Sequence, residues 1–288
     1  MTKTLLSLGH GFSARALAPL LLAEGWDVIG TTRDPAKLEP LRATGITPIL
    51  WEQASVADAL SKATHVLMSA APDAEGDPAL RLVGDAIQDR APMLDWAGYL
   101  STTGVYGDHR GGWVYEDTPL TPATRRGQLR VDAELAWSKV SGLPLHIFRL
   151  AGIYGPGRGP FAKLRNGTAR RIIKPNQVFS RIHVEDIAQV LLASIRQPNP
   201  GAAYNLCDDT PAPPQDVIAC AAKMLDMPIP PEIPFDRAEL SPMARSFYGE
   251  SKRVSNRRIK EELGVTLRYP DYQSALRAIL DAEQAAGA

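Results

Sequence analysis

The chain has 288 residues, and its 32 Lys and Arg balance 32 Asp and Glu, so the formal net charge is zero. A nucleic-acid binder gains affinity by neutralising phosphates and carries a basic excess, which is missing here. Apolar residues make up 44% and charged residues 22%, the balance of a folded chain and not of a disordered one.

The first apolar residues reach Gly9-His10 too soon for a signal peptide. The longest apolar stretch, Ala16–Ala23, is far short of the roughly 18 residues that span a bilayer. Cys207 and Cys220 have no further partners, so neither a zinc pattern nor a disulfide framework is present. Free thiols in a reducing, cytoplasmic setting, with no membrane and no nucleic acid as partner, are the expectation.

Thr4–Leu8 is an apolar run that ends at Gly9, and Ser13–Glu24 is helical in pattern, with Pro19 expected to kink or shorten it. Asp27–Thr32 is a second run, followed by the helix-start pair Asp34-Pro35. Ile46–Trp51, His65–Ala70 and Ala97–Thr103 are further runs, separated by helical patterns at Val56–Lys62 and Ala79–Asp89. Strand and helix in alternation predict a parallel sheet covered on both faces. Thr124–Val140 reads as a long helix, and Leu143–Tyr154 as a strand running into Gly155 and Gly157. Val184–Ile195 is a helix and Ala202–Leu206 a strand. Residues 209–247 are rich in proline, and helices Asn256–Leu263 and Tyr272–Glu283 close the chain.

The segment Gly9-His10-Gly11-Phe12-Ser13-Ala14 fits G-x-G-x-x-A between a strand and a helix. The first glycine permits the turn and the second lets a pyrophosphate approach the backbone. The small third residue lets the helix pack on the strand, and the free N–H groups at the positive end of the helix hold the anion. His10 either approaches the dinucleotide or merely tolerates the turn. Ser13 either caps the helix or donates to a phosphate. At the end of the second strand, Thr32 stands where an acid would accept from an NAD ribose, and Arg33 follows. Arginine pairs bidentately with a 2′-phosphate, which favours NADP over NAD; otherwise Arg33 is a surface residue and Asp34 a cap. Ser69, Ala70 and Ala71, at the end of the fourth run, complete the expected cofactor wall.

Ser101-Thr102-Thr103-Gly104-Val105-Tyr106-Gly107 resembles the S-[ST]-x-x-V-Y-G signature of extended short-chain dehydrogenase/reductases, the family of NAD-dependent sugar epimerases and dehydratases. Three later segments agree in order: Arg149–Gly157, Arg181–Ala188 and Ala203–Leu206. The resemblance implies a Rossmann-type doubly wound parallel sheet with a smaller, irregular C-terminal lobe. Residues 1–157 would bind NAD(P), with 178–208 returning to that domain. Residues 158–177 and 209–288 would form the smaller substrate or partner lobe. A homodimer through two helices is the family arrangement.

The resemblance makes Thr102 the hydroxyl that bonds the reacting substrate oxygen. The acid pair of the dehydratase branch is replaced by Thr103 and Gly104, which argues against sugar 4,6-dehydration by that mechanism. The family's Y-x-x-x-K pair aligns with Arg126 and Arg130, which keep the i, i+4 spacing and therefore one helix face. Guanidinium stays protonated and cannot shuttle a proton. Arg130 could donate to ribose hydroxyls and Arg126 could bind an anion or polarise a carbonyl. Alternatively both are surface residues, with Arg130 paired to Glu134. Tyr106 and Tyr154 sit at strand ends expected to face the cleft, with Tyr106 either the substitute acid/base or packing under the loop. The basic run Arg158, Lys163, Arg165, Arg170, Arg171 and Lys174 either meets an acidic or nucleotide-linked substrate or is a solvated face. The sequence thus leaves two readings: an atypical NAD(P)-dependent oxidoreductase or epimerase on a small substrate, anionic or nucleotide-linked, or a non-catalytic NADP(H) sensor.

Overall fold

The apolar runs of the first half are buried on alternate faces, which only a sheet covered on both sides satisfies. The computed structural model describes residues 2–287. Chain order begins β1 (Thr4–Leu8), α1 (Phe12–Ala23), β2 (Asp27–Thr32), α2 (Leu38–Arg42), β3 (Thr47–Leu50), α3 (Gln53–Lys62), β4 (His65–Met68), α4 (Pro78–Arg90) and β5 (Trp96–Thr102). It continues through β6 (Trp113–Val114), α5 (Arg125–Ser138), β7 (Leu145–Leu150), β8 (Gly152–Tyr154), α6 (Pro160–Arg165), β9 (Arg171–Ile173), β10 (Arg181–His183) and α7 (Val184–Arg196). The last part holds β11 (Ala203–Leu206), α8 (Pro214–Met224), β12 (Glu232–Pro234), α9 (Pro242–Phe247), β13 (Arg253–Val254), α10 (Arg257–Leu263) and α11 (Tyr272–Gly287).

Seven strands form one sheet in the order β11-β7-β5-β4-β1-β2-β3, and every pair is parallel. Leu5, Leu67, Trp96 and Leu100 pack on one face against α1 and α7. Leu6, Val66, Met68 and Tyr99 pack on the other against α3, α4 and α5. The strand order reverses between β1 and β4, and the crevice outside their carboxyl ends is where doubly wound sheets bind ligands.

Several expectations shift. The stretch read as one strand is two: β7 belongs to the large sheet, and β8 pairs with β10 in a separate ladder. Helix α1 runs through Pro19 without a break. Pro19 is exposed, so the carbonyl it leaves unbonded lies on the water side. The proline-rich region hides α8, whose first turn accommodates Pro214. A third core, with Phe161, Leu164, Val217, Ala221, Tyr272 and Leu276, organises the smaller lobe. Ile259, Leu263, Val265 and Leu267 do not join it; they pack with α7 on the sheet. This later segment therefore shares the core of the large sheet.

Trp96 sets the spacing inside the first core. Its indole N–H donates to Ser194 Oγ on α7 at 3.0 Å, and its ring stacks on His146 at 5.7 Å. The ring lies over Gly98, where an added Cβ would come within 2.1 Å of it. Gly98→Ala should cost about 1–3 kcal/mol, the usual penalty of overpacking. Urea unfolding followed by tryptophan fluorescence would show it as a lowered midpoint.

Candidate functional site

The glycine loop is built on β2. Gly9 has φ +87°, and a Cβ there would meet the Ala70 nitrogen at 2.8 Å. Its N–H donates to Thr31 Oγ1 at 2.7 Å, and that hydroxyl donates to the Ser7 carbonyl at 3.2 Å. Ser69 Oγ donates to the Gly9 carbonyl at 2.7 Å, so Ser69 and Ala70 form the wall beneath the turn, while Ala71 is exposed. Thr31 is a loop-holding residue that the motif does not announce; only its inward parity on the strand marks it.

Gly11 precedes α1, and no side chain caps the helix. Ser13 therefore does not act as the cap. The first N–H groups of α1 are left to meet an anion, which fits a pyrophosphate. The Phe12 ring lies under the Arg158 guanidinium at 5.4 Å and close to Gly155, which joins the glycine loop to the turn after β8. Burial, with the Arg15 charge adding to it, pushes the His10 imidazole down from 6.5 to about 4, so the ring is neutral. Neither of its ring nitrogens has a partner. Thr32 Oγ1 accepts from the Asp34 N–H at 3.1 Å, and Asp34 in turn caps the short turn at Pro35. Arg33 is exposed beside them.

At the other side of the cleft, Thr102 ends β5 half-buried. Its Oγ1 accepts from the Gly104 N–H at 3.1 Å, which leaves the hydroxyl proton free to donate. Helix α5 comes close to this turn because Gly127 has no side chain: a Cβ would meet the Gly104 carbonyl at 2.8 Å. Thr124 caps α5 through the Gly127 N–H at 3.1 Å.

The two arginines of α5 then diverge. Arg130 donates to the Leu100 carbonyl at 2.5 Å and to Tyr99 Oη at 3.3 Å. Its expected surface partner, Glu134, is committed elsewhere. Arg126 is exposed, and its guanidinium lies 5.4 Å over the Phe247 ring of α9 in the smaller lobe.

Tyr106 is not available as an acid/base. It is fully buried, donates to Asn205 Oδ1 at 2.7 Å and accepts from Arg149 at 2.9 Å. Burial raises its phenol to about 12, against the pull of Arg149. Tyr154 is also buried, its hydroxyl is unpartnered, and burial pushes its pKa up. His183 caps α7, and Asp186 accepts backbone N–H groups of Arg268 at 2.7 Å and Tyr269 at 3.2 Å, so the pair fixes chain geometry. In the basic run, Arg165 pairs with Glu283 at 2.6 Å and Arg171 with Glu232 at 3.0 Å, which spends part of that charge on structure.

The sequence profile of the NAD-dependent epimerase/dehydratase family matches residues 8–207. The chain belongs to this family. It is 30% identical over 280 residues to Protein YeeZ of Escherichia coli strain K12, covering 92% of this chain and 95% of that protein. The structure is similar to that of a functionally unknown conserved protein from Silicibacter pomeroyi DSS, with a TM-score of 0.94, 60% identity and coverage of 98% and 99%. It also resembles in fold a dTDP-glucose 4,6-dehydratase from Bacillus anthracis in complex with NAD, at 16% identity, TM-score 0.78 and coverage of 99% and 97%. Among the described residues no helix is long and apolar enough to cross a membrane.

Two predictions follow from the buried groups of this family member. Arg149 and Glu134 pair at 2.9 Å with almost no solvent contact. Glu134→Ala leaves the guanidinium unpaired and should cost about 3–5 kcal/mol in chemical denaturation. Asp208 is buried, and burial raises its carboxyl from 3.8 to about 8, with Arg181 and the Thr210 N–H pulling the other way. An unfolded aspartate ionises near 3.8, so the neutral form favours the fold fully below that pH, and the advantage is lost as pH rises from there to about 8. Asp208→Asn should flatten the fall of Tm between about pH 4 and pH 8; a wild-type slope in the variant over that range would refute the assignment.

Proposed function

We propose that the chain binds NADP(H) and acts as an oxidoreductase or epimerase on a small anionic substrate. The observation that carries this is the pairing of an uncapped α1 N-terminus over Gly9 with a half-buried Thr102 hydroxyl whose proton is free. Gly9, Gly11 and the first turn of α1 would hold the pyrophosphate, and Arg33 the 2′-phosphate. When bound, the nicotinamide supplies hydride exchange.

The chain's own residues then do the following. Thr102 donates to the substrate oxygen that changes charge. Arg126 holds a fixed positive charge near the entrance and stabilises an anionic group or a developing oxyanion. It moves no proton, since guanidinium stays charged. The proton comes from water, because both cleft-side phenols considered, Tyr106 and Tyr154, are buried. That last fact also favours the second reading, a non-catalytic NADP(H) sensor that kept the loop and lost the acid/base.

Titration with NADPH and NADH, followed by nicotinamide fluorescence in phosphate-free buffer, tests the shared part. NADPH should bind more tightly, and Arg33→Ala should weaken it about tenfold while leaving NADH unchanged, the scale of one charge-assisted bond. No binding of either dinucleotide would overturn both readings. Thr102→Ala should lower turnover with NADPH affinity intact if the chain is an enzyme; a sensor would show no turnover to lose.

A further inference from the structure

Away from the glycine loop, an open cavity of about 370 Å³ lies where the segment after Tyr106, the β9–β10 loop, the entry to α8 and β13 meet. Its volume falls within the range of roughly 300–1,000 Å³ typical of small-molecule sites. Arg110, Lys174 and Arg253 line it, and no acidic side chain does. Lys174 directs its ammonium to the Tyr248 carbonyl and the Phe235 ring, and Arg253 gives one N–H to the Gly111 carbonyl. Neither is neutralised by these partners. The nearby acid is Asp108, which accepts the backbone N–H groups of Ser251 at 2.8 Å and Arg110 at 3.0 Å and feels Lys174 and Lys252. Lys252 is itself paired with Glu250 at 2.5 Å. The three lining cations thus exceed the local negative charge.

Two further features point to a ligand. Gln177 is 3% exposed; its Nε2 donates to the Glu250 carbonyl at 2.6 Å, and its Oε1 has no partner. Gln215 Oε1, on the same cavity, is also buried without a partner. Buried acceptors without partners call for a donor.

We propose that this cavity binds an organic phosphate monoester that carries hydroxyl or amino donors. Its phosphate sits against Arg110, Arg253 and Lys174, and its donors serve Gln177 and Gln215. Sugar phosphates and nucleoside monophosphates share this chemistry. None of Gly9, Thr102, Arg126 or Arg130 lines the cavity, so the proposal does not rest on the dinucleotide reading.

The test is calorimetric titration of the full chain, with NADPH added to occupy the glycine loop, against glucose 6-phosphate, AMP and inorganic phosphate. At least one monoester should bind saturably, and more tightly than inorganic phosphate. Arg110→Gln, at an exposed position, and Arg253→Gln should each weaken it about tenfold or more, the value of a charged hydrogen bond. Which monoester binds more tightly identifies the source. Three outcomes overturn the proposal: no monoester binding, binding that survives both substitutions, or binding lost in Arg33→Ala or Arg126→Ala and kept in the cavity variants. Inorganic phosphate binding as tightly as either monoester would overturn the role of the two glutamines.

Discussion

The floor of the cleft depends on one buried ion pair. The Arg149 and Glu134 side chains keep only 8% and 5% of their exposure. Charges taken that far from water destabilise a fold unless their remaining hydrogen-bonding capacity is filled. Here it is filled from several elements. Arg149 also donates to Tyr106 Oη and to the Glu116 carbonyl, each at 2.9 Å. Ser101 donates to Glu134, Tyr106 donates to Asn205, and the Asn205 N–H donates to Glu116 at 2.9 Å. One network therefore ties β5, β7, β11 and α5 together directly below Thr102. The tyrosine of the V-Y-G signature is a member of that network, which is why it holds the floor and does not face the substrate.

The same commitment decides what the two arginines of α5 can do. Glu134 is spent on Arg149, so Arg130 finds no acid one turn away and reaches a strand carbonyl with its long planar fork. An i, i+4 pair shares a helix face, yet these two side chains end on opposite partners: one on β5, the other on α9. The spacing that in a tyrosine–lysine pair concentrates acid/base chemistry here separates a structural cation from an exposed one.

Much of the fold was legible because parallel strands buried on both faces leave continuous apolar runs, and turns between them leave glycine and proline. The glycine loop was legible for the same reason: its chemistry is carried by backbone, and only small residues permit that backbone. What could not be read was side-chain partnership across long sequence distances. Thr31 beneath the loop is marked only by its parity on β2, and Gly127 against the Gly104 carbonyl and the Arg149–Glu134 pair have no local signature. Tyr106 looked cleft-facing because strand ends usually are, and only Asn205, 99 residues on, shows where its hydroxyl goes. The helix α8 was hidden by prolines that sit before and at its first turn, where they cost no hydrogen bond.

The ring contact that holds Arg126 is weak, and this weakness has a direction. Arg126 lies over Phe247, Arg245 and Lys174 over Phe235, and Phe235 packs on Tyr248, which meets Phe179. A cation over an exposed ring is worth about 0.5–1 kcal/mol. A charge-assisted hydrogen bond to an anion is worth about 1.5–3 kcal/mol. An anionic substrate entering beside α9 can therefore draw Arg126 off its ring at a net gain. An uncharged ligand of the same shape cannot, because it offers the guanidinium nothing stronger than the contact it would lose. On the proposed reading, a preference for an anionic substrate beside Arg126 would follow from the difference between these two ordinary interaction strengths.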